Sequence, residues 1–153
     1  SKIYGADYAY HQITGTYQTV FTEKGLLDLI HTCSMADLPP QYVPPLEPQD
    51  IRQMLRYLYE EIDKGTVQGI LVRPTSLQLP DYLSIYVHPK TGLHIYTTNA
   101  FVYGAYCCNI HIAEESICRI FSDFMRSLAG SHLVYSKEET LELLAQHISE
   151  MEV

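Results

Sequence analysis

The chain has no tryptophan and only four phenylalanines, so its large rings are carried almost wholly by thirteen tyrosines. It is also short of positive charge. Ten Lys and Arg stand against eighteen Asp and Glu, a net charge of −8 with histidine neutral. That sign argues against non-specific binding to a nucleic-acid backbone, which needs clustered cations, so no direct nucleic-acid partner is expected. No apolar run approaches the ~18 residues that a membrane span requires, and no leader layout is seen, so the expectation is a cytoplasmic protein with no membrane partner. The chain does not begin with Met, which reads as processing or as a segment of something longer.

Cysteine is sparse as well. Cys33, Cys107, Cys108 and Cys118 are even in number but follow no framework spacing, and two are adjacent, so they read as reduced packing thiols. None of the G-x-S-x-G, H-E-x-x-H, G-x-x-x-x-G-K-[ST] or G-x-G-x-x-G patterns occurs, which removes the commonest hydrolase, zincin and nucleotide signatures. Cys107 and His111 share a strand face but lie about 13 Å apart at ~3.3 Å per residue. Metal ligands sit at roughly 2.0–2.3 Å from the ion, so that pair cannot share one, and neither metal nor cofactor is expected.

What is present centres on residues 82–112. Two alternating runs, 82–88 and 93–98, flank Pro89-Lys90-Thr91-Gly92, where Pro suits the first position of a type I turn and Gly the left-handed close. A hairpin closed by His88 and Leu93 is predicted, with Tyr86 facing Ile95, Ile85 facing Tyr96, and Val87 facing His94. In that register His88 and His94 fall on opposite faces. A turn at Asn99-Ala100 then leads into a third strand, 101–112, in which Gly104 suggests a bulge. Neither face of this sheet is purely polar, so both are expected to be covered.

Upstream, residues 3–12 and 16–21 read as an N-terminal hairpin turning near Thr14-Gly15, with Tyr4, Tyr8 and Tyr10 on one face. Thr22 caps a short helix over 23–34. Five prolines in 37–48 force an extended connector. A helix over 49–64 carries Ile51, Met54, Leu55, Leu58 and Ile62 as one apolar stripe and stops at Gly65. Thr66–Arg73 is a strand. After Ile112, a helix running to Gly130 repeats Ile117, Ile120, Phe121, Phe124, Met125 and Leu128 at helical spacing. Ser136 and Glu139 form a capping box before the last helix, which buries Leu141, Leu144, Ile148 and Met151.

At 153 residues the whole chain, 1–153, reads as one α+β domain. The expected fold is an antiparallel sheet of five to six strands, an N-terminal hairpin plus a C-terminal meander, with flanking helices. A hairpin, then helices, then a meander is similar in element order to the PAS-like and profilin/longin-like architectures. That resemblance is topological and implies a fold without implying a function.

The candidate ligand- or partner-binding residues are Tyr86, His88, His94, Tyr96 and Tyr103; the tyrosines among them are read as an aromatic floor across three strands, with His88 and His94 flanking the hairpin tip. Tyr buries a large ring while its hydroxyl seeks a partner or water, which suits pockets and interfaces. The function expected is that of a non-enzymatic sensor or interaction module. It would bind a small-molecule ligand or a protein partner on a Tyr/His-rich sheet face, with a homo-oligomer as one form of that contact. The alternative is an acidic inhibitor or immunity-type protein masking a basic surface. A small Cys- or His-dependent enzyme is the third reading, with no catalytic residue assigned.

Overall fold

A computed structural model describes residues 17–33, 46–74, 83–88, 91–98 and 107–152, without the side chains of 83, 84, 96–98 and 107–109. Several expectations lie outside the described residues: the strand over 3–12, most of the proline-rich connector, the Pro89-Lys90 half of the hairpin turn, the Asn99-Ala100 turn, Gly104 and Tyr103.

Local signals set the helix ends. Thr22 closes β1 (Tyr17–Thr22) and its hydroxyl accepts the Gly25 N–H at 3.1 Å, opening α1 (Glu23–Thr32). The next helix, α2 (Pro48–Lys64), begins with proline, where no N–H is missed, and ends at Gly65 with φ +83°. After the strands β2 (Val67–Val72), β3 (Leu83–His88), β4 (Gly92–Thr98) and β5 (Cys107–Ile112) comes α3 (Glu115–Ala129). The Glu114 carboxylate caps α3 by accepting the Ile117 N–H at 2.8 Å. Ser136 and Glu139 bond reciprocally at the start of α4 (Lys137–Glu150), at 3.1 and 2.8 Å, the capping box expected there.

The fold is α+β with a mixed five-stranded sheet in the order β2-β1-β3-β4-β5. This corrects the all-antiparallel expectation. β1 runs parallel to β2 along its whole length and antiparallel to β3 over Gln18–Val20. Over Gln18–Val20 both edges of β1 are therefore taken, by β2 on one side and β3 on the other. The α1–connector–α2 segment is the long crossover that a parallel pair requires.

The meander β3-β4-β5 is antiparallel as expected, but its register is shifted by one residue. His88 pairs with Gly92, Val87 with Leu93, Tyr86 with His94, and Ile85 with Ile95. Gly92 enters the ladder instead of the loop because it adopts φ +94°, the left-handed residue of a hairpin bulge. A side chain could not replace it: a Cβ at Gly92 would meet the backbone oxygen of Ile112 at 2.4 Å.

The expectation that both sheet faces are covered is met in part: helices cover one face from β1 to β4 and the other over β1 and β2, while His111 on β5 is exposed. On one face α3 packs on Val20, Ile70, Val72, Val87 and Leu93 through Met125 and Leu128. On the other, Leu26 of α1, Ile51, Leu55 and Ile62 of α2, and Leu144 of α4 enclose Tyr17 and Val67. The helix α3 departs from expectation. Its apolar residues span too wide an arc for one sheet contact, so Met125 and Leu128 are buried while Ile120 and Phe124 are 66% and 53% exposed.

Candidate functional site

The corrected register gathers the rings. Because Tyr86 pairs with His94 and His94 with His111, these three side chains form one cross-strand row over β3, β4 and β5. The Tyr86 and His94 ring centroids are 5.4 Å apart, and those of His94 and His111 are 4.3 Å apart with planes 11° from parallel. Tyr17 extends the row onto β1, 4.8 Å from Tyr86. His88 follows Tyr86 two residues along the strand, 6.2 Å away and nearly coplanar. His88 and His94 thus share a face, contrary to the expected register.

The turn residue Thr91 ties the histidines together. Its N–H donates to His88 Nδ1 at 3.3 Å. Its hydroxyl lies 3.4 Å from His94 Nε2, and its carbonyl meets His111 Nε2. Burial, aided by His111 and His88, holds the His94 ring below the usual imidazole range. Burial also raises the Tyr17 hydroxyl well above the ordinary tyrosine range, reinforced by Tyr86, Tyr57 and Glu61. Among the described residues no group of three His, Cys, Asp or Glu could hold a metal ion.

Of the residues predicted from the sequence, Tyr86, His88 and His94 are brought together. Tyr96 occupies a register position opposite Ser84 and Asn109, not beside Ile85, and Tyr103 lies outside the described residues. Tyr17 and His111 were not among the candidates. His111 had been weighed only as a metal ligand, and Tyr17 belonged to a strand assigned to a separate hairpin.

A cleft of about 1020 Å³ wraps the end of the sheet where β1 and β2 begin and the β3–β4 hairpin turns. Tyr17 and His88 reach it from the ring-bearing face. From the α3 face come Gln18, Gln68, Ser122 and Arg126. These four form a hydrogen-bonded chain. Gln18 Nε2 donates to Gln68 Oε1 at 2.7 Å and to the Ser122 carbonyl at 3.1 Å, while Gln18 Oε1 accepts from Ser122 Oγ at 2.7 Å. Arg126 Nη2 donates to the same Oγ at 3.1 Å. The chain had a signal in the sequence: Gln is the second residue of both β1 and β2, a polar interruption in otherwise core-forming strands.

At the far end of β2 the edge is closed. The Tyr135 N–H donates to the Leu71 carbonyl at 2.9 Å, and the Arg73 N–H to the Leu133 carbonyl at 3.1 Å. The Tyr135 hydroxyl donates to Glu23 at 2.9 Å under the Arg73 guanidinium, 4.6 Å from the ring, and burial with that carboxylate raises its pKa.

The arrangement is an α+β fold with a cleft at one end of its sheet and a row of packed rings leading from it. No protein-family model, curated protein or solved structure matches the chain. No helix among the described residues is long and apolar enough to cross a membrane.

Proposed function

We propose that this protein is a non-enzymatic sensor or interaction module that takes a small ligand at the sheet end bearing Tyr17, Tyr86, His88 and His94. The observation that carries the reading is the cleft, which reaches the ring-bearing face through Tyr17 and His88. Its volume is at the upper end of the ~300–1,000 Å³ usual for small-molecule sites, and its lining mixes apolar and polar groups as such sites do. The rings are mutually packed, an arrangement that suits recognition of a ligand or partner surface. The likeness in element order to PAS-like and profilin/longin-like domains belongs to this proposal as an architectural expectation only.

A thermal-shift screen over neutral, cationic and anionic small molecules tests it, followed by the imidazole region of a 1H–13C spectrum. A binder should raise the melting temperature and move the His88 and His94 resonances. A screen in which stabilising compounds leave those resonances in place would remove the reading.

A second observation favours the protein-partner form of the same module. Ile120 and Phe124, 66% and 53% exposed, make an apolar shoulder on the side of α3 away from the helix residues that line the cleft. Sedimentation of the wild type against Phe124→Ser checks it. Only a concentration-dependent shift in the wild type that the variant loses supports self-association through this shoulder.

A further inference from the structure

The lining of the cleft has the wrong charge for the molecule it belongs to. Of ten Lys and Arg in the chain, Arg119, Arg126 and Lys137 line it, whereas of eighteen Asp and Glu only Glu115 does. In a chain of net charge −8, a local surplus of cations at a concave site is a local reversal of field, and clefts concentrate such fields.

The partners of these cations leave them available. Arg119 pairs with Glu115 at 2.9 Å and Arg126 with Asp123 at 2.7 Å, but both pairs are one helical turn apart and well exposed. Water screens such pairs nearly to zero net energy, so the guanidiniums can exchange partners at little cost. Lys137 Nζ donates to the Asp63 carbonyl at 2.9 Å, a neutral acceptor, and among the described residues no carboxylate pairs with it. Deeper in, Gln18 is fully used by Gln68 and Ser122. This fixes Gln68 with its Oε1 accepting, and among the described residues its Nε2 has no acceptor.

Donors and cations along the rim of a cleft match one class of ligand, an oxyanion. We infer that the cleft binds a small organic anion, its carboxylate, sulfonate or phosphate oxygens taken by Arg126 and Arg119. Guanidinium is suited to this because its planar N–H fork matches an oxyanion in a bidentate geometry. The inference rests on the ligand-binding reading above and adds the charge of the ligand to it.

The test uses two probes of one shape: 8-anilinonaphthalene-1-sulfonate, which is anionic, and N-phenyl-1-naphthylamine, which is the same body without the sulfonate. The sulfonate should bind the wild-type chain and weaken as NaCl is raised. Arg126→Gln and Arg119→Gln should each lower its affinity about tenfold or more, as expected for a lost charge-assisted hydrogen bond. The amine should bind more weakly, with an affinity unchanged by salt or by either substitution. Both arginines are exposed, so unchanged urea midpoints will show that the variants are folded. If both probes bind and neither arginine matters, the anion assignment is wrong while the cleft still holds ligands. If sulfonate binding is instead lost in Phe124→Ser, the probe lies on the α3 shoulder and the assignment is wrong again. If neither probe binds, the small-ligand reading falls with it.

Discussion

His94 stacks on His111 across the β4–β5 pair, 4.3 Å between ring centroids, with Tyr86 against its other side at 5.4 Å. A buried ring wedged between a tyrosine and a second histidine has little to gain from a proton. Burial and the neighbouring His111 and His88 depress its pKa from the ordinary 6.5. The folded state therefore takes up a proton at this site less readily than the unfolded chain.

The sign of the pH effect follows. Stability should be full above about pH 6.5 and fall as the pH drops through the folded value, by at most about 1.4 kcal/mol per pH unit for one proton. His94→Asn keeps a similar shape and does not titrate. Urea unfolding at a series of pH values should show a shallower fall between pH 7 and pH 5 for the variant. Identical profiles would mean that the stacked pair does not resist protonation.

Gly92 and Gly65 both have positive φ, at +94° and +83°, yet they should respond differently to alanine. At Gly65 a Cβ meets nothing within 4 Å, so Gly65→Ala carries only the left-handed backbone cost, about 1 kcal/mol. At Gly92 the same cost adds to a clash with the Ile112 carbonyl, and Gly92→Ala should lose ~2–4 kcal/mol. The ordering of the two urea midpoints is the measurement. An equal loss would contradict the close approach of β5 to the hairpin.

These two glycines also mark where the sequence was legible. Gly65 ends a helix, a local event, and with Thr22 and the Ser136–Glu139 box it placed the helix ends from neighbouring residues alone. Gly92 could close a loop or enter a ladder, and both choices satisfy a left-handed glycine. That single ambiguity moved the register by one residue and separated His88 from His94. The β1–β2 pair was out of reach for another reason. Its partners are distant in sequence, and nothing in YQTVFT distinguishes a strand paired with its predecessor from one paired across two helices. The cleft draws on several elements brought together by that pairing, so its residues had no shared pattern to announce them.

Ser136→Ala removes one half of the capping box at the start of α4, where Oγ accepts the Glu139 N–H. Loss of such a cap costs about 1 kcal/mol. The expected result is a modest fall in the urea midpoint with no change in its slope. A larger loss would show that Ser136 also carries tertiary contacts. Its carbonyl, which accepts from the buried Thr140 hydroxyl at 2.8 Å, is backbone and survives the substitution.

The adjacent residues Phe124 and Met125 separate the two sides of α3. Read as one apolar stripe, both belong to the core, and truncating the larger phenylalanine should cost more. In the structure Met125 is fully buried among Val20, Val87 and Leu93, while Phe124 is 53% exposed. Burial decides the energy, because only contacts removed from water are lost on truncation. Met125→Ala should therefore cost about 2–5 kcal/mol, and Phe124→Ala less than about 1 kcal/mol, by urea unfolding at low protein concentration. Low concentration matters because association through the shoulder would stabilise the wild type by mass action. If Phe124→Ala proves the more costly even there, the rotation of α3 on the sheet is wrong, and with it the assignment of Ser122 and Arg126 to the cleft.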